Sequence, residues 1–247
     1  MAAILVEGFD TYGPNPGASS PNYGILFETA GWTYINIYSG VGIASTLNGN
    51  TGYSITLPGV SAIPGNGISR TLAKGYSRLI GGVRFNSSLL SDTSQIVFSD
   101  SNTAQCSLTI QPTSGFITIN EGFAGTILQQ STASVAGNTT HYLEWDITFG
   151  IGVYGGWTVW LDGVQITAGT GTTQQSVNAS ANMLQLHTYG PTISFDDLYL
   201  FDDTTLFNNT ALLSNPIVIT QQPIGDEQTQ FANNGNVVGY TYSMGDT

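Results

Sequence analysis

Apolar and polar residues alternate in short runs along most of the chain, the period that sends successive side chains to opposite faces of a β-sheet. The runs are Ile4 to Phe9, Trp32 to Ile37, Tyr53 to Leu57, Leu79 to Phe85, Gln95 to Phe98, Ser107 to Ile110 and Phe116 to Ile119. Each predicts a strand. Turn signals separate them: Leu47-Asn-Gly-Asn-Thr, Pro64-Gly-Asn-Gly, Pro112-Thr-Ser-Gly, Ala136-Gly-Asn and Leu161-Asp-Gly-Val. The last is an Asp-Gly pair of the kind a type I′ hairpin selects. The strongest block is Tyr142 to Phe149, Trp157 to Ile166 and Ile193 to Phe201, which predicts the heart of the molecule. No segment keeps a 3.6-residue period for three turns. Evenly spaced antiparallel strands must hide their sheet faces against each other, so the expected fold is all-β, a two-sheet antiparallel jelly-roll sandwich.

The pattern changes near Leu213. Residues 1–213 are expected to form the sandwich, and 214–247 an extended C-terminal arm: Pro216-Ile-Val-Ile-Thr-Gln-Gln-Pro is bracketed by prolines and the remainder is polar and Gly/Asn-rich. A segment this polar buries too little apolar surface to order itself, so a partner would have to supply the contacts. Ile217, Ile219 and Phe231 are its apolar anchors, and the Val218 and Thr220 backbone suits strand addition to a neighbouring sheet edge.

Composition narrows function more than it narrows fold. The chain has 247 residues, 8% charged, with 4 Lys plus Arg against 16 Asp plus Glu and a net charge of −12. Such a surface repels phosphate backbones, so nucleic acid is not expected as a ligand. The single Cys106 excludes an intrachain disulfide, and with only His141 and His187 beside it no Cys/His zinc cluster can form. Cys106 reads as a small core residue. At the N-terminus Glu7 ends a short apolar run with no basic residue before it, so neither a signal peptide nor a membrane span is expected there, and folding in a cytosol is. No cofactor is expected.

Several groups could carry chemistry. Glu144 and Asp146 leave one face of a strand roughly 7 Å apart, and paired carboxylates serve retaining glycosidases. In concanavalin A-like glucanases the corresponding strand carries a second glutamate, whereas here Thr148 and Phe149 stand in its place, so no glycosidase activity is expected. Asp196, Asp197, Asp202 and Asp203 could offer oxygen ligands to calcium, but adjacent residues of a regular strand face opposite ways, and solvation at turns and strand ends is the plainer reading. His141 and His187 have no carboxylate beside them in sequence. All four cations, Arg70, Lys74, Arg78 and Arg84, fall in one short window, while residues 85 to 247 hold 13 acids and no Lys or Arg. Arg78 and Arg84 share a parity opposite Leu79, Val83 and Phe85. They either dock an acidic partner, such as Asp226 and Glu227 of an adjacent copy, or pair with acids such as Glu28 or Asp92. Trp157, Trp160 and Tyr189 are candidate stacking platforms for a sugar, with Trp157 and Trp160 of opposite parity.

Three stretches in order carry a family resemblance: Thr140-His-Tyr-Leu-Glu144, Gly156-Trp-Thr-Val-Trp-Leu-Asp-Gly163-Val and Phe195-Asp-Asp-Leu-Tyr-Leu-Phe-Asp202, with Ile4-Leu-Val-Glu-Gly-Phe-Asp-Thr-Tyr as the opening. Over residues 3 to 203 the chain resembles the laminin G-like, concanavalin A-like jelly-roll structural proteins of tailed bacteriophages, and Asp226-Glu-Gln-Thr-Gln-Phe231 is similar to the stretch that follows the domain there. The resemblance implies a non-catalytic virion component, capsid decoration or tail-associated, made in a host cytoplasm and held by contacts with other virion proteins and copies of itself. A carbohydrate-binding module or receptor-binding adhesin is the alternative it leaves open.

Overall fold

The computed structural model describes residues 3–9, 31–35, 42–45, 53–59, 65–88 and 92–202. The expected arm, with Ile217, Ile219, Asp226, Glu227 and Phe231, lies outside the described residues, as do Glu28 and Asp203.

Fifteen strands are described: β1 (Ala3–Glu7), β2 (Trp32–Ile35), β3 (Gly42–Ser45), β4 (Tyr53–Leu57), β5 (Asn66–Tyr76), β6 (Arg78–Ser87), β7 (Ser94–Asp100), β8 (Thr103–Ile110), β9 (Phe116–Glu121), β10 (Ile127–Ser134), β11 (Thr140–Thr148), β12 (Gly156–Leu161), β13 (Val164–Thr170), β14 (Ala181–Thr188) and β15 (Ile193–Phe201). The helical content of the described residues is one 3₁₀ turn, Gly152–Tyr154. The first sheet runs β13-β12-β11-β6-β15-β4-β3, with β1 also paired to β15, and the second runs β10-β9-β8-β7-β14-β5-β2. All pairs are antiparallel. The molecule is the two-sheet sandwich that the alternation predicts.

Inward positions of the two sheets form one core. Leu79, Val83 and Phe85 of β6 and Leu143, Trp145 and Ile147 of β11 meet Ile96 and Phe98 of β7 and Leu184 and Leu186 of β14. Phe98 contacts Trp145 edge-on with ring centroids 5.7 Å apart, the offset geometry that aromatic quadrupoles favour. Cys106 sits fully buried in this core as a free thiol, and burial pushes its pKa far above the usual range. Trp157 joins the core while Trp160 faces outward and is half-buried, as their parity requires.

Local sequence explains the irregular points. Leu161 pairs with Val164 across a two-residue loop whose Asp162 and Gly163 have φ of 51° and 80°, the type I′ turn. β6 carries Gly81-Gly82 at its middle. A Cβ on Gly81 would come within 2.7 Å of Trp145, and one on Gly82 within 2.8 Å of Tyr199 and 2.9 Å of Tyr142, so these glycines make room for large rings on both faces.

Candidate functional site

The two outer faces of the sandwich differ in kind. On the first sheet, Arg78 holds Asp146 through two bonds of 2.7 and 2.6 Å, with the side chains 27% and 23% exposed. Arg84 donates to Asp197 at 2.7 Å, where the side chains are 11% and 3% exposed, and lies over the Tyr142 ring. Tyr199, Gly82 and Glu144 stand on one rung of three adjacent strands. Because the middle residue has no side chain, the Tyr199 hydroxyl reaches across it to donate to Glu144 Oε1 at 2.8 Å. Glu144 is 1% exposed. The expected carboxylate pair therefore shares a face, but both members are engaged by neighbouring side chains.

The aspartate pair departs from a regular strand. In the β15–β6 register Asp196 faces Arg84 and Tyr199 faces Gly82, which leaves an extra residue in β15. Asp197 takes the left-handed conformation with φ 47° and donates its N–H to Asp196 Oδ1 at 2.8 Å. This bulge brings the Asp197 carboxylate to Arg84 on the outer face. His141 also gains a partner that sequence distance conceals: its Nδ1 lies 2.8 Å from Asp162 of the β12–β13 turn.

The four cations are divided by the fold. Arg70 and Lys74 belong to β5 of the second sheet, Arg78 and Arg84 to β6 of the first, and Ser77 alone separates these strands. Lys74 is exposed near the Tyr76 ring. Arg78 and Arg84 share a face opposite Leu79, Val83 and Phe85, and their carboxylate partners are Asp146 and Asp197.

The second sheet carries the open site. Gln95 of β7, Thr109 of β8 and Asn120 of β9 alternate with core residues Ile96, Leu108, Ile110 and Ile119, so they face outward. They line a groove of about 560 Å³ together with Asp92, Tyr189 and the Phe123 to Gly125 loop. This volume lies within the roughly 300–1,000 Å³ usual for small-molecule sites. The Phe123 loop is fastened by Ser107, whose hydroxyl donates to the Phe123 carbonyl at 3.1 Å. The Phe123 ring stands edge-on to His187 at 5.1 Å and to Tyr189 at 5.9 Å, and His187 and Tyr189 stack at 6.4 Å with only 8° between planes.

Hydrogen bonding in the floor is incomplete. Gln95 Nε2 and Asn120 Nδ2 both donate to Thr109 Oγ1, at 3.2 and 2.6 Å. Both amides are 3% exposed, and neither Gln95 Oε1 nor Asn120 Oδ1 has a partner. An orphaned buried acceptor of this kind costs about 1–3 kcal/mol. The same sheet satisfies another buried glutamine completely. Gln105 Oε1 accepts from the backbone of Gln175 and Ser176, and its Nε2 donates to Ser176, Asn178 and Ser180.

Electrostatics set the groove apart from the first sheet. Burial lowers the His187 pKa to about 4, so its imidazole is neutral at pH 7, and burial beside Asp92 raises the Tyr189 phenol to about 12. Among the described residues no Lys or Arg lines the groove. The sequence pattern singles out Tyr189 as a platform but not Gln95, Thr109, Asn120 or Phe123. The signal was present as polar positions in the alternating strands β7, β8 and β9, and the hairpin register that aligns Gln95 with Thr109 makes them a floor.

No family model matches the chain, and no curated protein matches it in sequence. Solved structures do. The chain is similar to an endo-β-1,4-glucuronan lyase from the fungus Trichoderma reesei, with a TM-score of 0.56 and 10% identity, over 81% of this chain and 96% of that one. It is similar to a carbohydrate esterase from Shiga toxin-encoding bacteriophage phi24B, with a TM-score of 0.54 and 14% identity, over 82% and 99% of the two chains. An alginate lyase, Aly36B, gives 0.54 and 14% over 81% and 96%. These likenesses establish a concanavalin A-like jelly-roll sandwich.

Proposed function

We propose that this sandwich is a non-catalytic glycan-binding protein whose sugar site is the groove on the outer face of the second sheet. The observation that carries the reading is the open groove itself, lined by the neutral polar side chains of Gln95, Thr109 and Asn120 and by the Tyr189 and Phe123 rings. A sugar brings a row of hydroxyls to such a polar lining and an apolar C–H face to rings such as Tyr189 and Phe123. The carbohydrate-directed names of the structural relatives support the same ligand class.

A glycan array followed by calorimetry tests the proposal. The expected result is binding that Tyr189→Ala and Gln95→Met each weaken more than tenfold in proteins whose folding is unchanged. An array without hits, or full affinity in both variants, refutes it. The non-catalytic part rests on the occupied carboxylates: Glu144 is bonded to Tyr199, and Asp146 is clasped by Arg78. Shortening of the bound glycan during incubation would overturn that part.

A second reading, a virion component of a tailed phage acting through protein contacts as capsid decoration or in the tail, rests on the sequence resemblance. It is favoured by the exposed apolar side chains of Ile151, Val153 and Tyr154 on the loop between β11 and β12, a surface a neighbouring virion protein could cover. Mass spectrometry of purified virions tests it. The two readings join if the particle displays the groove toward cell-surface sugars.

A further inference from the structure

We infer that the groove takes neutral sugars and rejects glycans bearing carboxylate or sulfate groups. The inference rests on the glycan-binding reading above and deepens it to a ligand class.

The floor offers amide oxygens and threonine hydroxyls, and the rim offers the Asp92 carboxylate. Asp92 Oδ1 already accepts from the Thr93 N–H at 2.8 Å, which fixes the carboxylate at the groove wall. These are neutral hydrogen-bonding groups beside one carboxylate, a lining that suits the hydroxyls of a neutral sugar. A uronate or sulfate would bring more acceptors and a negative charge. Recognition of such an anion calls for Arg or Lys, and the lining has neither. His187 behind the aromatic wall cannot serve, because burial holds it neutral down to about pH 4. Arg78 and Arg84 belong to the other sheet, where they face Asp146 and Asp197. An entering anion would meet Asp92 in a protein of net charge −12. Two of the structural relatives are named for glucuronan and alginate, so the inference separates this groove from a simple transfer of their ligand class.

The experiment compares neutral gluco-, manno- and galacto-oligosaccharides with glucuronan and alginate oligosaccharides of equal length, by calorimetry at low and moderate salt, on the full chain. The expected result is a neutral ligand bound at least tenfold more tightly than any uronate, with little dependence on salt. Asp92→Asn should then raise uronate affinity at least threefold and narrow the neutral-over-uronate ratio by at least the same factor. Uronate binding equal to or tighter than neutral binding overturns the inference and leaves the glycan reading standing. So does selectivity that Asp92→Asn fails to narrow. If no oligosaccharide of either class binds, the glycan reading falls and takes this inference with it.

Discussion

His187 gives the sharpest test of how the groove wall is built. Its imidazole is buried between Phe123 and Tyr189, Nε2 lies 3.1 Å from Gln185 Oε1, and burial lowers its pKa from 6.5 to about 4. In the unfolded chain the same group takes a proton near 6.5. Between these two values the unfolded state binds more protons than the folded one, so stability falls as pH falls through this window. The contribution is fully present above pH 6.5 and fully lost below about 4, and the whole difference is worth about 3 kcal/mol. At pH 4.5 it amounts to about 2.5 kcal/mol, a large share of a stability that is typically about 5–15 kcal/mol. Urea denaturation at pH 7.5 and 4.5 measures the loss, and His187→Gln supplies the reference that cancels the titration of the carboxylates. Wild type should lose about 2.5 kcal/mol more than the variant. Equal losses, within about 0.5 kcal/mol, would refute a buried neutral histidine. Because the folded protein keeps His187 neutral until about pH 4, glycan affinity should be flat between pH 8 and 5.

The two ion pairs of the first sheet should behave differently. Arg84→Met removes the guanidinium from a carboxylate that is 3% exposed and should cost about 3 kcal/mol, whereas Arg78→Met breaks a wetter pair and should cost about 1 kcal/mol or less, both read from urea midpoints. Leu161 packs in the core beside the type I′ turn, so Leu161→Ala should cost about 2–5 kcal/mol; a loss below about 0.5 kcal/mol would place that side chain at the surface. Gln95→Met removes an amide whose oxygen has no partner while Thr109 keeps its bond from Asn120, so stability should stay within about 1 kcal/mol of wild type even as sugar affinity falls.

The elements most legible in sequence were those with an unbroken period of two and a defined turn. β4 spans Tyr53–Leu57 as the alternation predicts, β11, β12 and β15 are the strands of the strongest block, and the Asp162-Gly163 turn has the expected sign of φ. Less legible was anything that depends on which strands become neighbours. β6 is inserted between β11 and β15, so the contact of Tyr199 with Glu144 required knowing that Gly82 lies between them. The bulge at Asp197 was hidden for a related reason. Parity assigns faces only while each residue of a strand has one opposite number, and a single extra residue resets it. The division of the four cations followed from one residue, Ser77, at which the chain leaves one sheet and enters the other.

The contrast between the outer faces explains why the ion-paired groups conspicuous in the sequence lie on the first sheet and not in the groove. On that sheet the charged residues stand where they can answer one another. Arg78 and Arg84 form ion pairs with Asp146 and Asp197, and the buried Glu144 is bonded by Tyr199. Charge there is spent on internal pairing, and its visibility in sequence follows from its chemistry and not from any opening to solvent. The groove has the reverse character. Its floor is made of residues that sequence analysis treats as ordinary polar surface, Gln95, Thr109 and Asn120, and what distinguishes them is a geometric shortage: two amides share one hydroxyl as their acceptor, and nothing donates back to their oxygens. A chain with 8% charged residues has few ions with which to bind anything. Recognition by such a protein has to come from neutral hydrogen-bonding groups and ring faces, and these are brought together only by strand register.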